Sequence, residues 1–144
     1  TNLGAFIAVI AISSKVGSDE IAAYAGVAKR SPLLALGLTL CLISLTGIPP
    51  TAGFIAKVYV FNAAVQGDLV WLAIVGVLNS VVSAYYYLRV VLNMYTLEPA
   101  DEARIQLGPY LGLAMTVAVV GLLVVGIFPN PLLQASEAAA KVLG

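Results

Sequence analysis

The sequence predicts an all-α membrane protein, a bundle of transmembrane helices in which one helix is discontinuous. Two observations indicate this class. Hydrophobic residues make up 61% of the 144-residue chain and charged residues only 10%, whereas soluble domains carry about 25% charged residues. The charges are also confined to short stretches between long apolar runs, and one of these runs contains Pro49 and Pro50. Most of the surface must therefore face lipid or other membrane protein.

The composition also excludes several functions. Seven basic residues balance seven acidic ones, so nothing indicates a nucleic-acid partner. There is no histidine, and the single cysteine, Cys41, excludes an intrachain disulfide. The sequence has no glycine-rich phosphate loop and no paired carboxylates in an apolar setting. We therefore expect this chain to hold no metal, flavin, iron–sulfur centre or nucleotide.

The first two elements are predicted to be the end of a transmembrane helix and a short surface helix. Residues 1–14 are uncharged but slightly short for a span, which needs about 20 residues. No methionine or basic segment precedes them, so they are not a signal peptide, and we expect a fragment of a longer protein. Residues 18–30 predict a short interfacial helix capped by Ser18, with acidic residues first and basic residues last. An ordinary amphipathic linker is the alternative.

Three further spans follow. Residues 33–66 would reach about 50 Å as one straight helix, but the hydrocarbon core is only about 30 Å thick, so a break is predicted at Pro49–Pro50. Residues 69–95 form a second span, with tryptophan near one end and tyrosines near the other, as in an aromatic belt. Residues 110–128 form the third, and residues 131–143 predict a tail that forms a short surface helix.

The distribution of basic residues predicts the orientation in the membrane. The loops at 15–32 and 96–108 carry basic side chains, the turn at 66–69 carries none, and the C-terminal tail carries one. The positive-inside rule therefore predicts that both loops are cytoplasmic. The turn and the C-terminus are expected on the outer side.

The proline pair deprives two carbonyl groups of their helical donors. Proline has no N–H, so the carbonyls of Leu45 and Thr46 lose their partners at Pro49 and Pro50. At this depth, irregular backbone survives only inside protein or beside a water-filled cavity. Thr51 is predicted to cap the second half-helix, and an architectural kink is the alternative interpretation. The break residues predicted to line a path are Gly47, Pro49, Pro50, Thr51 and Gly53.

Lys57 is the candidate for chemistry. About 13 Å of helix separates it from the outer end, and a charged lysine near a helix centre costs about 2.5–3.5 kcal/mol. The nearest acidic residue in sequence is Asp68. Burial favours the neutral amine, which can accept a proton, so Lys57 is predicted to be a proton relay, with a snorkelling anchor as the alternative. The possible supporting polar residues are Thr46, Tyr59, Asn62, Asn79 and Ser83, although Asn79, Ser80 and Ser83 equally suit hydrogen bonding between helices.

Two long motifs carry a resemblance to a known family. They are "SPLLALGLTLCLISLTGIPPTAGFIAKVYVF" at 31–61 and "SAYYYLRVVLNMY" at 83–95. Together with "YAGVAKRSP" and "TNLGAF", they closely resemble the N-type antiporter-like subunit of proton-pumping NADH–quinone oxidoreductase, respiratory complex I. The resemblance covers essentially the whole chain, and "YYYLR" favours the N-type subunit over its sister subunits.

The resemblance implies a fourteen-helix protein with two inverted repeats, each containing one broken helix. Residues 1–144 would be the C-terminal part of one membrane domain, and Lys57 matches the family's titratable residue on the second broken helix. The implied function is proton translocation in the bacterial plasma (inner) membrane, coupled to electron transfer from NADH to quinone, as a non-redox subunit. The expected partners are lipid and other membrane subunits, and NADH, FMN, iron–sulfur clusters and quinone belong to other subunits.

Two alternatives stay open at the level of sequence. One is a subunit of a multisubunit cation/proton antiporter or a membrane-bound hydrogenase, which share the fold. The other is a scaffold that spans the membrane and moves no ions.

Overall fold

The computed structural model describes residues 1–18, 20–99, 104–105 and 108–143, and every regular element in these ranges is helical. The all-α class is therefore confirmed. The helices are α1 (Asn2–Val16), a 3-10 helix (Ile21–Tyr24), α2 (Val27–Arg30), α3 (Pro32–Thr46), α4 (Ala52–Gln66), α5 (Val70–Thr96), α6 (Pro109–Ile127) and α7 (Asn130–Leu143).

Two of the described helices, α5 with 27 residues and α6 with 19, are long and apolar enough to cross a membrane. The shorter helices α1 and α3 are also apolar. The run at 33–66 forms α3 and α4, with 15 residues each, separated by residues 47–51. Each half is about 22 Å long, so neither half spans the hydrocarbon core alone.

The centre of the bundle is α3, which packs against α1, α5 and α6. Small residues of α1, including Ala5, Ala8 and Ala11, are buried in this core. A Cβ atom on Gly4 would lie 2.7 Å from the Cys41 sulfur atom. The two helices can therefore approach closely only because α1 presents small side chains, as is common between membrane helices.

Helices α4 and α5 carry an apolar surface that is exposed. Among the residues that the structure describes, α4 has no buried residue. Trp71, Val81 and Tyr85 of α5 are 62%, 65% and 64% exposed. Apolar exposure of this extent is typical of a surface that contacts lipid or other protein.

The prediction of one interfacial helix at 18–30 is wrong. The segment forms a 3-10 helix and the four-residue α2, and Gly26 between them is left-handed, with φ 64°. The Gly26 N–H donates to the Asn93 carbonyl oxygen of α5 at 3.2 Å instead of continuing a helix. The Ser18 hydroxyl accepts from the Glu20 N–H at 3.2 Å, which makes a local turn rather than a helix cap. Tertiary contact with α5 therefore overrides the local helical pattern.

Candidate functional site

The first half of the discontinuous helix ends at a glycine. Gly47 is left-handed, with φ 87. Its N–H donates to the Ser44 carbonyl oxygen at 3.0 Å, and the Ile48 N–H donates to the Ile43 carbonyl oxygen at 3.3 Å. These two bonds form a Schellman motif. The helix thus ends before the prolines, which prevent it from resuming until residue 52.

Lys57 reaches back from α4 to the end of α3. Its Nζ donates to the Thr46 carbonyl oxygen at 2.8 Å. This carbonyl is one of the two that the proline pair deprives of a helical donor. The ammonium group therefore lies at the C-terminus of α3, where the helix dipole is negative.

No carboxylate among the described residues lies within 4.0 Å of the Lys57 amine. The half-buried side chain is thus held by a backbone carbonyl and a helix dipole instead of a salt bridge. A carbonyl oxygen can accept a hydrogen bond but cannot take the proton at ordinary pH. The site therefore contains one titratable amine that no acid neutralises within that distance.

Gly47 also provides room for the lysine. A Cβ atom on Gly47 would lie 2.8 Å from the Lys57 Cδ atom, closer than real Cβ contacts. One glycine thus satisfies two requirements, because the left-handed backbone ends α3 and the missing side chain admits Lys57.

The prediction that Thr51 caps the second half-helix is wrong. Thr51 is the N-cap residue of α4, but its side chain makes no cap hydrogen bond. Its Oγ1 donates to the Ile48 carbonyl oxygen at 2.7 Å. The Gly53 N–H instead donates to the Ser44 Oγ at 3.1 Å. The cap comes from α3 because Gly53 lies so close to the Ser44 carbonyl group that no Cβ atom would fit.

Neighbouring helices enclose one side of the break. Ser44 is fully buried, and its Oγ shares a hydrogen bond of 3.0 Å with Thr1 Oγ1. Gly126 of α6 lies against the Pro50 carbonyl oxygen and the Thr51 backbone, with no space for a Cβ atom. Pro49 and Pro50 themselves are exposed. The Pro50 carbonyl group and the Thr51 backbone are therefore packed against α6, which shields this part of the irregular backbone as a membrane setting requires.

The other side of the break opens into a cavity of about 330 Å³ between α4 and α5. Thr46, Gly47 and Lys57 line one wall, and Ser80 is the hydroxyl residue of the α5 wall. The Ser80 hydroxyl donates to the Gly76 carbonyl oxygen at 2.9 Å. The volume has room for water beside the Lys57 amine and the Thr46 carbonyl group, while most of the other lining residues are apolar.

The predicted supporting residues are only partly brought together. Thr46 belongs to the site through its carbonyl group, while its hydroxyl donates to the Leu42 carbonyl oxygen at 2.9 Å. Ser83 donates to the carbonyl oxygen of Asn79 at 2.9 Å, within its own helix. Among the hydrogen bonds of the described chain, none joins Lys57 to four of the predicted residues, namely Tyr59, Asn62, Asn79 and Ser83.

Comparison with known proteins places this geometry in a family. Residues 1–83 match the family model described as NADH:quinone oxidoreductase/Mrp antiporter, TM. They include both halves of the discontinuous helix and Lys57, and they make up more than half of the chain. The chain belongs to this family. It is accordingly an integral membrane protein.

Individual relatives of the chain carry a more specific name than the family. NADH-quinone oxidoreductase subunit N of Dehalococcoides mccartyi is 46% identical over 143 residues, which are 99% of this chain and 30% of that protein. Subunit N of Heliobacterium modesticaldum is 43% identical over 142 residues, again 99% of this chain and 30% of that protein. The chain therefore spans about 30% of the length of the curated relatives it matches.

A solved structure has the same fold. It is respiratory complex I from Thermus thermophilus with bound aureothin, and the matching chain gives a TM-score of 0.71 at 28% identity. The match covers 88% of this chain and 31% of that chain. The all-α membrane architecture of the family thus extends to nearly the whole of this sequence.

Sequence reasoning missed two contributions to the break and underrated a third. Ser44 and Gly126 act through contacts with residues far along the chain or on another helix. From the sequence, Ser80 cannot be distinguished from Asn79 and Ser83 as a polar residue of the same helix. In the structure, Ser80 is the one of these three that lines the cavity beside α4. A hydroxyl in the apolar run at 33–46 does not single out Ser44, because Thr39 and Thr46 lie in the same run.

Replacing Ser44 with alanine is expected to weaken the joint between α3 and α4. The Gly53 N–H loses its acceptor, and an unsatisfied buried donor costs about 1–3 kcal/mol. A lower thermal midpoint of the membrane subunit in the purified complex would measure this. Ser83→Ala is the matched control, because that hydroxyl bonds only within its own helix. Equal midpoints for the two variants would contradict the role of Ser44.

Proposed function

We propose that this chain is the C-terminal part of subunit N of a proton-pumping NADH–quinone oxidoreductase, and that Lys57 passes protons at mid-membrane depth. The observation that carries the proposal is the hydrogen bond of 2.8 Å from Lys57 Nζ to the Thr46 carbonyl oxygen, beside a cavity at a break in the helix. Membership of the family and the names of the relatives support it.

The contact couples the charge of Lys57 to its position. As an ammonium group, Lys57 is attracted to the Thr46 carbonyl and to the negative end of α3. As a neutral amine it loses most of this attraction, and its flexible chain can turn into the cavity beside α5. There the nitrogen lone pair can accept a proton from a hydronium ion, which becomes water. Gain and loss of one proton would thus move the amine between two positions.

The rest of the proposal concerns the whole protein. The partners are other membrane subunits of the complex and the bilayer, which is the bacterial plasma membrane. NADH, FMN, iron–sulfur clusters and quinone are bound by other subunits, so this chain carries no redox site. The loops at 15–32 and 96–108 are cytoplasmic, and the turn at 66–69 and the C-terminus face outwards, as their basic residues indicate.

Replacing Lys57 with methionine in the full-length subunit tests the proposal. Methionine keeps an unbranched chain but cannot carry a proton, so we expect protons translocated per electron to fall clearly below the wild-type ratio. The measurement is proton uptake into vesicles during NADH oxidation, normalised to assembled complex. Lys15→Met is the matched control, because Lys15 is exposed at the end of α1. A scaffold without transport predicts the wild-type ratio for both variants.

The family also includes antiporters, as its description states. Isolation of the full-length protein with its natural partners distinguishes these from an oxidoreductase. Co-purification with flavin- and iron–sulfur-containing subunits that oxidise NADH is the expected result. Partners that contain only further membrane subunits would favour an antiporter and contradict the proposed function.

A further inference from the structure

A second cavity lies between α3 and α6 and shares no lining residue with the cavity beside Lys57. It is an apolar groove of about 320 Å³ between α3 and α6. Gly37 and Gly112 contribute no side chains to it, and Leu36, Leu40 and Val119 form much of its wall. The one hydroxyl in the lining, of Thr116, donates to the Gly112 carbonyl oxygen at 2.9 Å, so the groove presents a dry surface.

A basic cavity adjoins one end of this groove. It has a volume of about 380 Å³ and lies at the N-terminus of α3, between Lys29, Arg30 and Arg104. Leu33 lines both cavities, so the two adjoin at this residue. Arg104 is exposed, and Lys29 pairs with Glu98 at 3.6 Å, with both side chains largely in solvent. An exposed ion pair of this kind is weak, so Lys29 can exchange its partner for another anion.

We propose that the two cavities together form a binding site for one anionic phospholipid. The basic cavity takes the phosphate of the headgroup, with Arg104 as its principal donor. The groove takes the upper part of one acyl chain, because the seven helical steps from Leu33 to Leu40 give about 10 Å of depth. Basic pockets between helices at the membrane surface are typical sites for acidic headgroups.

Charge complementarity selects a lipid over a neighbouring protein helix as the occupant. A transmembrane helix in the groove would need an acidic side chain at the level of the basic cavity to match its positive charge. A phospholipid has the required order of groups, with a phosphate at the membrane surface and a hydrocarbon chain directly below it. The shared residue Leu33 lies where these two parts of the lipid meet.

Photolabelling of the complete complex tests the site. The probe is a phosphatidylglycerol with a diazirine in its acyl chain, and the readout is the amount of label on residues 112–120. We expect clear labelling of the wild type, a loss of about fivefold in Arg104→Gln, and near-wild-type labelling in Arg104→Lys. Thr116→Phe should fill the groove and prevent labelling. Val117→Phe is its control, because Val117 is 64% exposed and does not line the groove.

Competition distinguishes the possible ligands. Unlabelled phosphatidylglycerol should displace the probe, whereas phosphatidylcholine and inorganic phosphate should not. The proposal is wrong if the wild type takes no label, as a groove covered by another subunit would predict. Equal labelling of Arg104→Gln and wild type, or equal competition by phosphatidylcholine or by phosphate, would also overturn it. None of these readouts depends on proton transport, so the proposed function and the lipid site can fail separately.

Discussion

A complex that carries Lys57→Arg is expected to assemble normally and to translocate fewer protons per electron than the wild type. Arginine keeps the positive charge and can donate to the Thr46 carbonyl oxygen, as Lys57 does at 2.8 Å. Its guanidinium group, however, is not deprotonated in proteins. We therefore expect the number of protons translocated per electron to fall clearly below the wild-type ratio, as in Lys57→Met. The measurement is the proton-to-electron ratio in vesicles.

The arginine variant isolates proton release from charge. Methionine at the same position removes both, so it cannot tell a relay from a fixed positive charge that merely stabilises the end of α3. The matched control is Lys29→Arg, at a lysine whose side chain is 59% exposed. Native gel electrophoresis gives the amount of assembled complex for normalisation. A normal ratio in assembled Lys57→Arg complexes would show that Lys57 does not relay protons.

Much of the fold could be predicted because charges, prolines and glycines interrupt the apolar runs. The described helices α1, α5, α6 and α7 begin and end within two residues of the boundaries that the sequence predicts. The short segment at 18–30 could not be predicted in this way. Its backbone is bent by a left-handed glycine and a hydrogen bond to Asn93, and that partner is 67 positions further along the chain.

The site could be predicted at the level of its two main parts, the break and the lysine. Both stand out against an apolar background, since proline removes donors and lysine is costly in hydrocarbon. The details depend on packing. Gly47 rather than the prolines ends α3, and Ser44 rather than Thr51 caps α4, because the two halves approach closely enough to exchange hydrogen bonds. Tyr59 lies two residues from Lys57 in the sequence, yet the described hydrogen bond of Lys57 goes to Thr46, 11 positions away. Nearness in sequence is therefore a poor guide to nearness in space.

Replacing Gly53 with alanine is expected to give the largest loss of stability. The added methyl group would overlap the Ser44 carbonyl group, so α4 would have to move away from α3. That movement breaks the hydrogen bond from the Gly53 N–H to Ser44 Oγ and withdraws Lys57 from the Thr46 carbonyl. Overpacking and a lost buried hydrogen bond together cost about 3 kcal/mol or more. We therefore expect a sharp fall in the amount of assembled subunit and a lower thermal midpoint of what remains.

Gly121→Ala provides the matched control for this prediction. The chemical change is the same and the residue also lies in an apolar helix, but a Cβ atom on Gly121 would meet nothing within 4 Å. Alanine is the better helix former, by about 1 kcal/mol, so this variant should assemble at least as well as the wild type. Similar assembly of the Gly53 and Gly121 variants would mean that close contact between α3 and α4 does not hold the break together. Loss of only the Gly53 variant would show that the joint between α3 and α4 depends on a single missing side chain.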